Sequence, residues 1–102
     1  MRITLHPGAE QDIADAATFY ESEASPLLAS RFVREVERVL KLLLANPDIG
    51  VARARGRRGF PLTGFPYTVV YRPLPTGVIV LVVKHDRRRP GFGSSRRKGD
   101  AG

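Results

Sequence analysis

The sequence predicts an α+β fold of order β-α-α-β-β-β, with an antiparallel helical hairpin packed on one face of a small, mainly antiparallel four-stranded sheet. Two runs rich in Val, Ile and Tyr, residues 67–72 and 78–85, flank a turn at 73–77 that contains Pro and Gly, a pattern typical of a β-hairpin. Apolar residues recur at three- and four-residue steps over 7–21 and 26–45, which indicates two helices. The short connection between them favours an antiparallel pair.

The first half of the chain carries clear start and stop signals. Ile3 and Leu5 alternate with polar residues, which predicts a short half-buried strand. Pro7 suits the first turn of a helix, and Ser25-Pro26 supplies an N-cap hydroxyl followed by Pro at the first helical position. Asn46-Pro47 ends the second helix.

The second half reads as a loop, a sheet and a tail. Residues 47–58 are rich in Gly, Pro and Arg and predict an exposed basic loop, and residues 60–62 begin the main part of the sheet. We expect one domain over residues 1–92. The Gly-, Ser- and charge-rich residues 93–102 predict a disordered basic tail.

Composition excludes several classes of function. A chain of 102 residues with 42% hydrophobic residues can bury one modest core. It has no Cys and two His without metal-ligand spacing, so we expect no disulfide, no metal and no cofactor. The N-terminus lacks signal-peptide character, and no apolar run approaches the ~18 residues of a membrane span, which favours a cytoplasmic protein.

Charge is segregated along the chain. Residues 1–50 hold five Lys or Arg against eight Asp or Glu, a balance of −3, whereas residues 51–102 hold twelve against two, a balance of +10. Such asymmetry predicts a positive surface that attracts nucleic acid or an acidic protein, although a merely solubilising surface is an alternative. The candidate target- or phosphate-binding residues are Arg53, Arg55, Arg57, Arg58, Arg72, Lys84, Arg87, Arg88 and Arg89.

Five short motifs, in this order, carry a family resemblance. They are Asn46-Pro47, Pro61-Leu62, Phe65-Pro66-Tyr67, Val70-Tyr71-Arg72 and His85-Asp86-Arg87-Arg88. With the predicted layout, residues 1–92 resemble the RelE/ParE superfamily of bacterial type II toxins. The resemblance implies a toxin encoded beside an antitoxin that wraps and blocks it. It also implies one of two activities, mRNA cleavage on the ribosome in the RelE-like branch or poisoning of DNA gyrase in the ParE-like branch.

The two branches differ at positions that can be inspected. The RNA-cleaving branch has an Arg after the first Tyr of the third strand and a Tyr near the C-terminus, and the matching positions here are Thr68 and Phe92. Arg88 remains as a phosphate clamp. His85 is the best candidate for proton transfer, because an unperturbed His titrates near pH 6.5. Its alternative role is that of a strand-end residue that caps a carbonyl or pairs with Asp86.

The ending His85-Asp86-Arg87-Arg88 resembles the His-x-x-Arg of ParE-like members. We therefore interpret the chain as a ParE-like, non-catalytic toxin directed at DNA gyrase. The alternative is a ribosome-dependent mRNA endonuclease in which His85 and Arg88 are catalytic. A simple RNA-binding module is disfavoured because the aromatic residues of the second half, such as Phe60 and Tyr71, lie in apolar strand context.

Overall fold

The structure is a computed structural model, and it describes residues 1–89 and 91–101. Its helices and strands are β1 (Arg2–Leu5), α1 (Pro7–Glu23), α2 (Pro26–Ala45), β2 (Val51–Ala52), β3 (Arg58–Pro61), β4 (Tyr67–Leu74) and β5 (Gly77–His85). Short 3₁₀ turns cover Ala54–Gly56 and Lys98–Ala101. The strands form one sheet in the order β1-β5-β4-β3-β2, and both helices pack on one of its faces. The predicted α+β class is confirmed.

The sheet has five strands rather than the four predicted. The additional strand, β2, spans two exposed residues, Val51 and Ala52, and pairs antiparallel with β3. A strand of two residues is too short to show an alternating pattern in sequence. β3 also begins at Arg58, so this residue belongs to the sheet and not to the preceding loop.

Both helices begin where the sequence places them, although the first cap is unexpected. His6 Nδ1 accepts a hydrogen bond from the Gly8 N–H at 2.8 Å, which makes an imidazole the N-cap of α1. Ser25 Oγ accepts from the Leu28 N–H at 3.1 Å and caps α2. Each cap satisfies a backbone donor that has no partner inside its helix.

The centre of the sheet is β5, which pairs parallel with β1 and antiparallel with β4. Val70 faces Val82 and Tyr71 faces Val80, so Leu81 is an extra residue in β5 and forms a β-bulge. The bulge changes the alternation of side chains. Val80 and Val83 pack with the helices, whereas Leu81 and Val82 both pack on the opposite face, which we call the back face.

The helix-side core contains a cluster of aromatic rings at one end and a hydrogen-bonded tyrosine at the other. Phe32 contacts Tyr67 and Phe65 with ring centroids 5.1 and 5.3 Å apart. At the other end, the Tyr71 hydroxyl accepts from the Gly50 N–H at 2.8 Å and donates to the Pro47 carbonyl at 2.7 Å. Burial raises the pKa of Tyr71. These two bonds hold the loop after α2 against β4.

The two side chains of an ion pair form hydrogen bonds with backbone groups of β5 that lie beyond the end of β1. The ladder with β1 ends at Val80. Beyond it, the Val83 N–H donates to Asp12 Oδ2 at 3.0 Å, and Arg96 Nη1 donates to the Leu81 carbonyl at 3.0 Å. Asp12 and Arg96 also pair with each other at 2.6 Å, with 10% and 18% of their side chains exposed.

A second charged contact ties α2 to the loop after β3. Glu35 Oε2 accepts from the Thr63 N–H at 2.6 Å, and both Glu35 oxygens accept from Arg38 at 2.8 Å. The hydrogen bond from Arg38 is the main cause that lowers the pKa of Glu35.

None of the described helices has the length and apolar character needed to cross a membrane.

Asp12→Ala should lower the free energy of unfolding by about 2–3 kcal/mol, because it leaves the Val83 N–H and the Arg96 guanidinium without their shared acceptor. Asp12→Asn keeps an oxygen that can accept both bonds and should lose less. Urea unfolding of the two variants measures the difference. Equal losses in both would show that these hydrogen bonds do not stabilise the edge.

Glu35→Gln should lower the free energy of unfolding by about 1 kcal/mol at pH 7, since the carboxylate bonds to Arg38 and Thr63 are weakened. The folded-state pKa of Glu35 is lowered. Its stabilisation is therefore full above the ordinary Glu pKa of about 4.3 and is lost as the pH falls through the lower folded value. Wild type and Glu35→Gln should converge at a pH below the lowered folded-state pKa of Glu35.

Glu37→Gln is the matched control, because Glu37 is exposed on the same helix and forms no ion pair among the described residues. Its unfolding free energy should follow that of the wild type across the pH range. A Glu35→Gln difference that persists undiminished at low pH would contradict the role of the carboxylate.

Candidate functional site

The back face of the sheet carries an apolar strip that is flanked by cations on two sides. Val70, Ile79, Leu81 and Val82 form this strip and are buried. Residues 91–101, here called the C-terminal segment, lie across it, and Phe92 packs against the strip. The predicted domain boundary at residue 92 and the disorder beyond it stay predictions. In the structure the segment is packed, and residues 90 and 102 lie outside the described residues.

The C-terminal segment is held by charged side chains at several points. Arg57 donates to the carbonyls of Gly93, Ser94 and Arg96, and Arg55 donates to Ser94 at 3.1 Å. Near the end of the segment, Asp100 accepts from His6 Nε2 at 3.0 Å, and this hydrogen bond is the main cause that lowers the pKa of Asp100. Composition alone did not indicate these contacts.

The structure brings most of the predicted cations to this face. Arg53, Arg55, Arg57 and Lys84 line one cleft together with Phe92. A second cleft, lined by Arg55, Arg57 and Arg72, includes Arg97 and Lys98 of the C-terminal segment. The cations therefore surround the apolar strip on two sides.

Arg53 reaches the back face over Gly59, whose missing side chain leaves room for the guanidinium. Arg58 does not join the cluster. It is paired in register with Tyr71 on the helix side of the sheet, and its Nη1 donates to the carbonyls of Asp48 and Gly50 at 3.1 and 2.8 Å. These bonds indicate a structural role for Arg58.

The clustered cations repel one another. Burial is the main cause that lowers the pKa of Arg57, and the neighbouring charges of Arg55 and Arg72 lower it further. Since an arginine stays protonated under physiological conditions, the effect is an electrostatic cost and not a loss of charge. An anion bound in this cleft would relieve that cost.

The end of β5 forms a separate cluster. Arg87, Arg88 and Arg89 are exposed in the turn that follows the strand. The Arg88 guanidinium lies 4.6 Å from the centre of the Phe92 ring, a cation–π distance. His85 Nδ1 accepts from the Arg87 N–H at 3.0 Å.

His85 occupies an aromatic setting. Its ring lies edge-on to Tyr67 with centroids 5.1 Å apart. Burial raises the pKa of Tyr67, which keeps its hydroxyl protonated. Thr68, at one of the two positions that differ from the RNA-cleaving pattern, donates its hydroxyl to Asp86 at 2.7 Å. Asp86 therefore pairs with Thr68, whereas the His85 ring nitrogen caps a backbone N–H.

Sequence reasoning missed three residues that build this face. Asp12 lies in the first predicted helix and Arg96 in the predicted disordered tail, yet they pair across 84 positions of the chain. Phe92 was considered only as the residue at the position of an absent Tyr. A large apolar residue within a Gly- and Ser-rich stretch was the available signal that the segment packs.

Comparison with known proteins identifies the family. Residues 3–90 match the family model of the ParE toxin of the type II toxin–antitoxin system parDE. Toxin ParE2 from Mycobacterium tuberculosis, in strains CDC 1551 / Oshkosh and ATCC 25618 / H37Rv, is 26% identical over 89 residues, which cover 87% of this chain and 85% of the relative.

The fold also matches a solved structure. A chain described as the chromosomal ParDE TA system from P. aeruginosa superposes with a TM-score of 0.73 at 20% identity and covers 83% of this chain and 95% of that one. At this identity the likeness concerns the fold. The match of the ParE toxin model to residues 3–90 shows that the chain belongs to the ParE toxin family of type II toxin–antitoxin systems.

Proposed function

We propose that this ParE-family toxin inhibits DNA gyrase in the cytoplasm and that its cognate antitoxin neutralises it. Membership of a type II toxin–antitoxin family implies the antitoxin partner. The observation that carries the choice of target is that the exposed arginines at the end of β5 suit recognition of a partner, whereas the described residues around His85 offer no well-placed acid–base pair. Arginine stabilises negative charge well but does not readily release a proton.

The side chains near the predicted catalytic pair support this choice. Cleavage by a 2′-OH requires a base and an acid placed around the scissile phosphate. His85 lies against Tyr67, and its Nδ1 is occupied by a backbone N–H. Arg88 is stacked on Phe92. Asp12 and Asp15 line the same cleft. Asp12 is paired with Arg96, and Asp15 accepts a hydrogen bond from Gln11 at 2.7 Å. Because the groups near the imidazole are already hydrogen-bonded or stacked, they form a poor acid–base system.

The end of β5 has the composition of a protein-binding surface. Arg87, Arg88 and Arg89 are exposed there, and Phe19, which is 54% exposed, lines the same cleft as Arg88 and Phe92. Arginine and aromatic residues are enriched at protein interfaces and in their energetic hot spots. We infer that this surface contacts the target.

A gyrase supercoiling assay tests the proposal. Purified toxin should inhibit supercoiling, and added antitoxin should restore it. The triple variant Arg87→Ala, Arg88→Ala, Arg89→Ala should need at least about tenfold more toxin for half-inhibition, the effect expected when interface arginines are removed. His85→Ala should inhibit as well as the wild type, since no proton transfer is involved.

The control removes the same charge elsewhere. Arg31, Arg34 and Lys41 are exposed on α2, so their triple alanine variant has the same net charge as the test variant. It should inhibit gyrase like the wild type. A toxin that leaves gyrase active but cuts ribosome-bound mRNA, with cleavage reduced about 10²-fold or more by His85→Ala, would reverse the assignment.

A further inference from the structure

One cleft of the back face concentrates positive charge, and no carboxylate is among the described residues that line it. It is lined by Arg55 and Arg57 of the turn before β3, by Arg72 of β4, and by Arg97 and Lys98 of the C-terminal segment. We call it the arginine cleft. Arg96 also lines the cleft and is paired with Asp12. The other five cations take part in none of the ion pairs found among the described residues.

The backbone that presents the cleft is strained. Arg55 has φ +64°, and among the described residues it is the one residue other than glycine with positive φ. A side chain in this conformation costs on the order of 1 kcal/mol, and such strain is concentrated at functional sites. Gly56 follows with φ +71°. The chain thus adopts an unfavourable turn that directs Arg55 into the same cleft as Arg72.

Hydrogen bonding divides the cleft into fixed and available donors. Arg57 directs its Nη groups at carbonyls of the C-terminal segment, and Arg55 uses one Nη1 bond on Ser94. For Arg72 the described residues provide no hydrogen-bond acceptor. Arg72 and the remaining donors of Arg55 thus line the cleft without an acceptor among the described residues. Guanidinium donors match phosphate oxygens in a bidentate manner.

The rest of the lining indicates which anion fits. Besides Arg96 and the other cations, the described lining consists of Leu81, Ser94, Ser95 and Gly99. Among these described residues there is no aromatic ring on which an unpaired base could stack. Leu81 is the one large apolar residue in the described lining, so the apolar side chains of an acidic peptide would find few contacts there. A phosphodiester backbone, which requires cations and hydroxyl donors but no stacking partner, fits this lining best.

We propose that the arginine cleft binds the phosphodiester backbone of duplex DNA. The contact is independent of base sequence, because it lies on the backbone. This function goes beyond inhibition of gyrase, and it can be measured with DNA and toxin alone, so its outcome does not depend on whether gyrase is the target.

Fluorescence anisotropy of a labelled duplex of about 20 base pairs tests the proposal. The full-length toxin should bind two unrelated sequences equally and lose affinity linearly on a log–log plot as salt rises. Arg55→Ala with Arg72→Ala should weaken binding at least about tenfold at low salt and make the slope shallower by about 2, since each phosphate contact contributes about 0.9. Both residues are exposed, so the variant should fold.

The matched control is Arg31→Ala with Arg34→Ala, which removes two exposed arginines from α2 on the other side of the sheet. It should keep the wild-type slope. Equal slopes in the two double variants would overturn the proposal, because the binding would then reflect net charge alone. Tighter binding of a single strand or an RNA, or competition by an oligoglutamate peptide that depends on Arg55 and Arg72, would overturn it in favour of another ligand.

Discussion

The structure depends on covering both faces of β5. From Val78 to Val83 every side chain of this strand is apolar and at most 2% exposed. Burying a Val or Leu side chain contributes about 1.5–3 kcal/mol, so exposure of either face would be costly. The two helices cover one face, and Phe92 with its neighbours covers the other. A chain of this size has one helical layer, and the C-terminal segment supplies the second cover.

The bulge at Leu81 links this burial to the charged groups. Because it places Leu81 and Val82 on the same face, it widens the apolar strip that the C-terminal segment covers. The Leu81 carbonyl and the Val83 N–H lie beyond the end of β1, where Arg96 and Asp12 satisfy them. The same arginine therefore completes the edge of β5 and fixes the segment that carries Arg97 and Lys98 into the arginine cleft.

The sequence predicted what depends on local patterns. Helix boundaries followed from Pro7, Ser25-Pro26 and Asn46-Pro47, and the β4–β5 hairpin from its two apolar runs. The two-residue strand at Val51 was missed because it has no pattern of its own, and its pairing is set by β3. The parallel pairing of β1 with β5 is a long-range contact that no local signal reports.

The candidate site was predictable in composition but not in geometry. Nine cations were selected by charge, and the structure separates them by what each one contacts. Arg58 donates to the carbonyls of Asp48 and Gly50 in a loop, whereas Arg57 donates to the C-terminal segment. That distinction depends on where β3 begins, because Arg58 is its first residue and lies on the helix side, whereas Arg57 immediately precedes the strand. A shift of one position in the strand reverses the face, and the start of β3 was predicted two residues late.

The separation of charge along the chain becomes a separation in space. α1 carries five Asp or Glu and no Lys or Arg, and it lies on the face of the sheet opposite the arginine cleft. Hydrogen bonds from Arg57 to carbonyl oxygens stabilise cations that repel one another, so Arg57 contributes to the fold and to the charge at once. Arg72 contributes charge without such bonds. The distinction matters for function. Replacing Arg57 would disturb the C-terminal segment together with the arginine cleft, whereas replacing Arg72 would change the cleft alone.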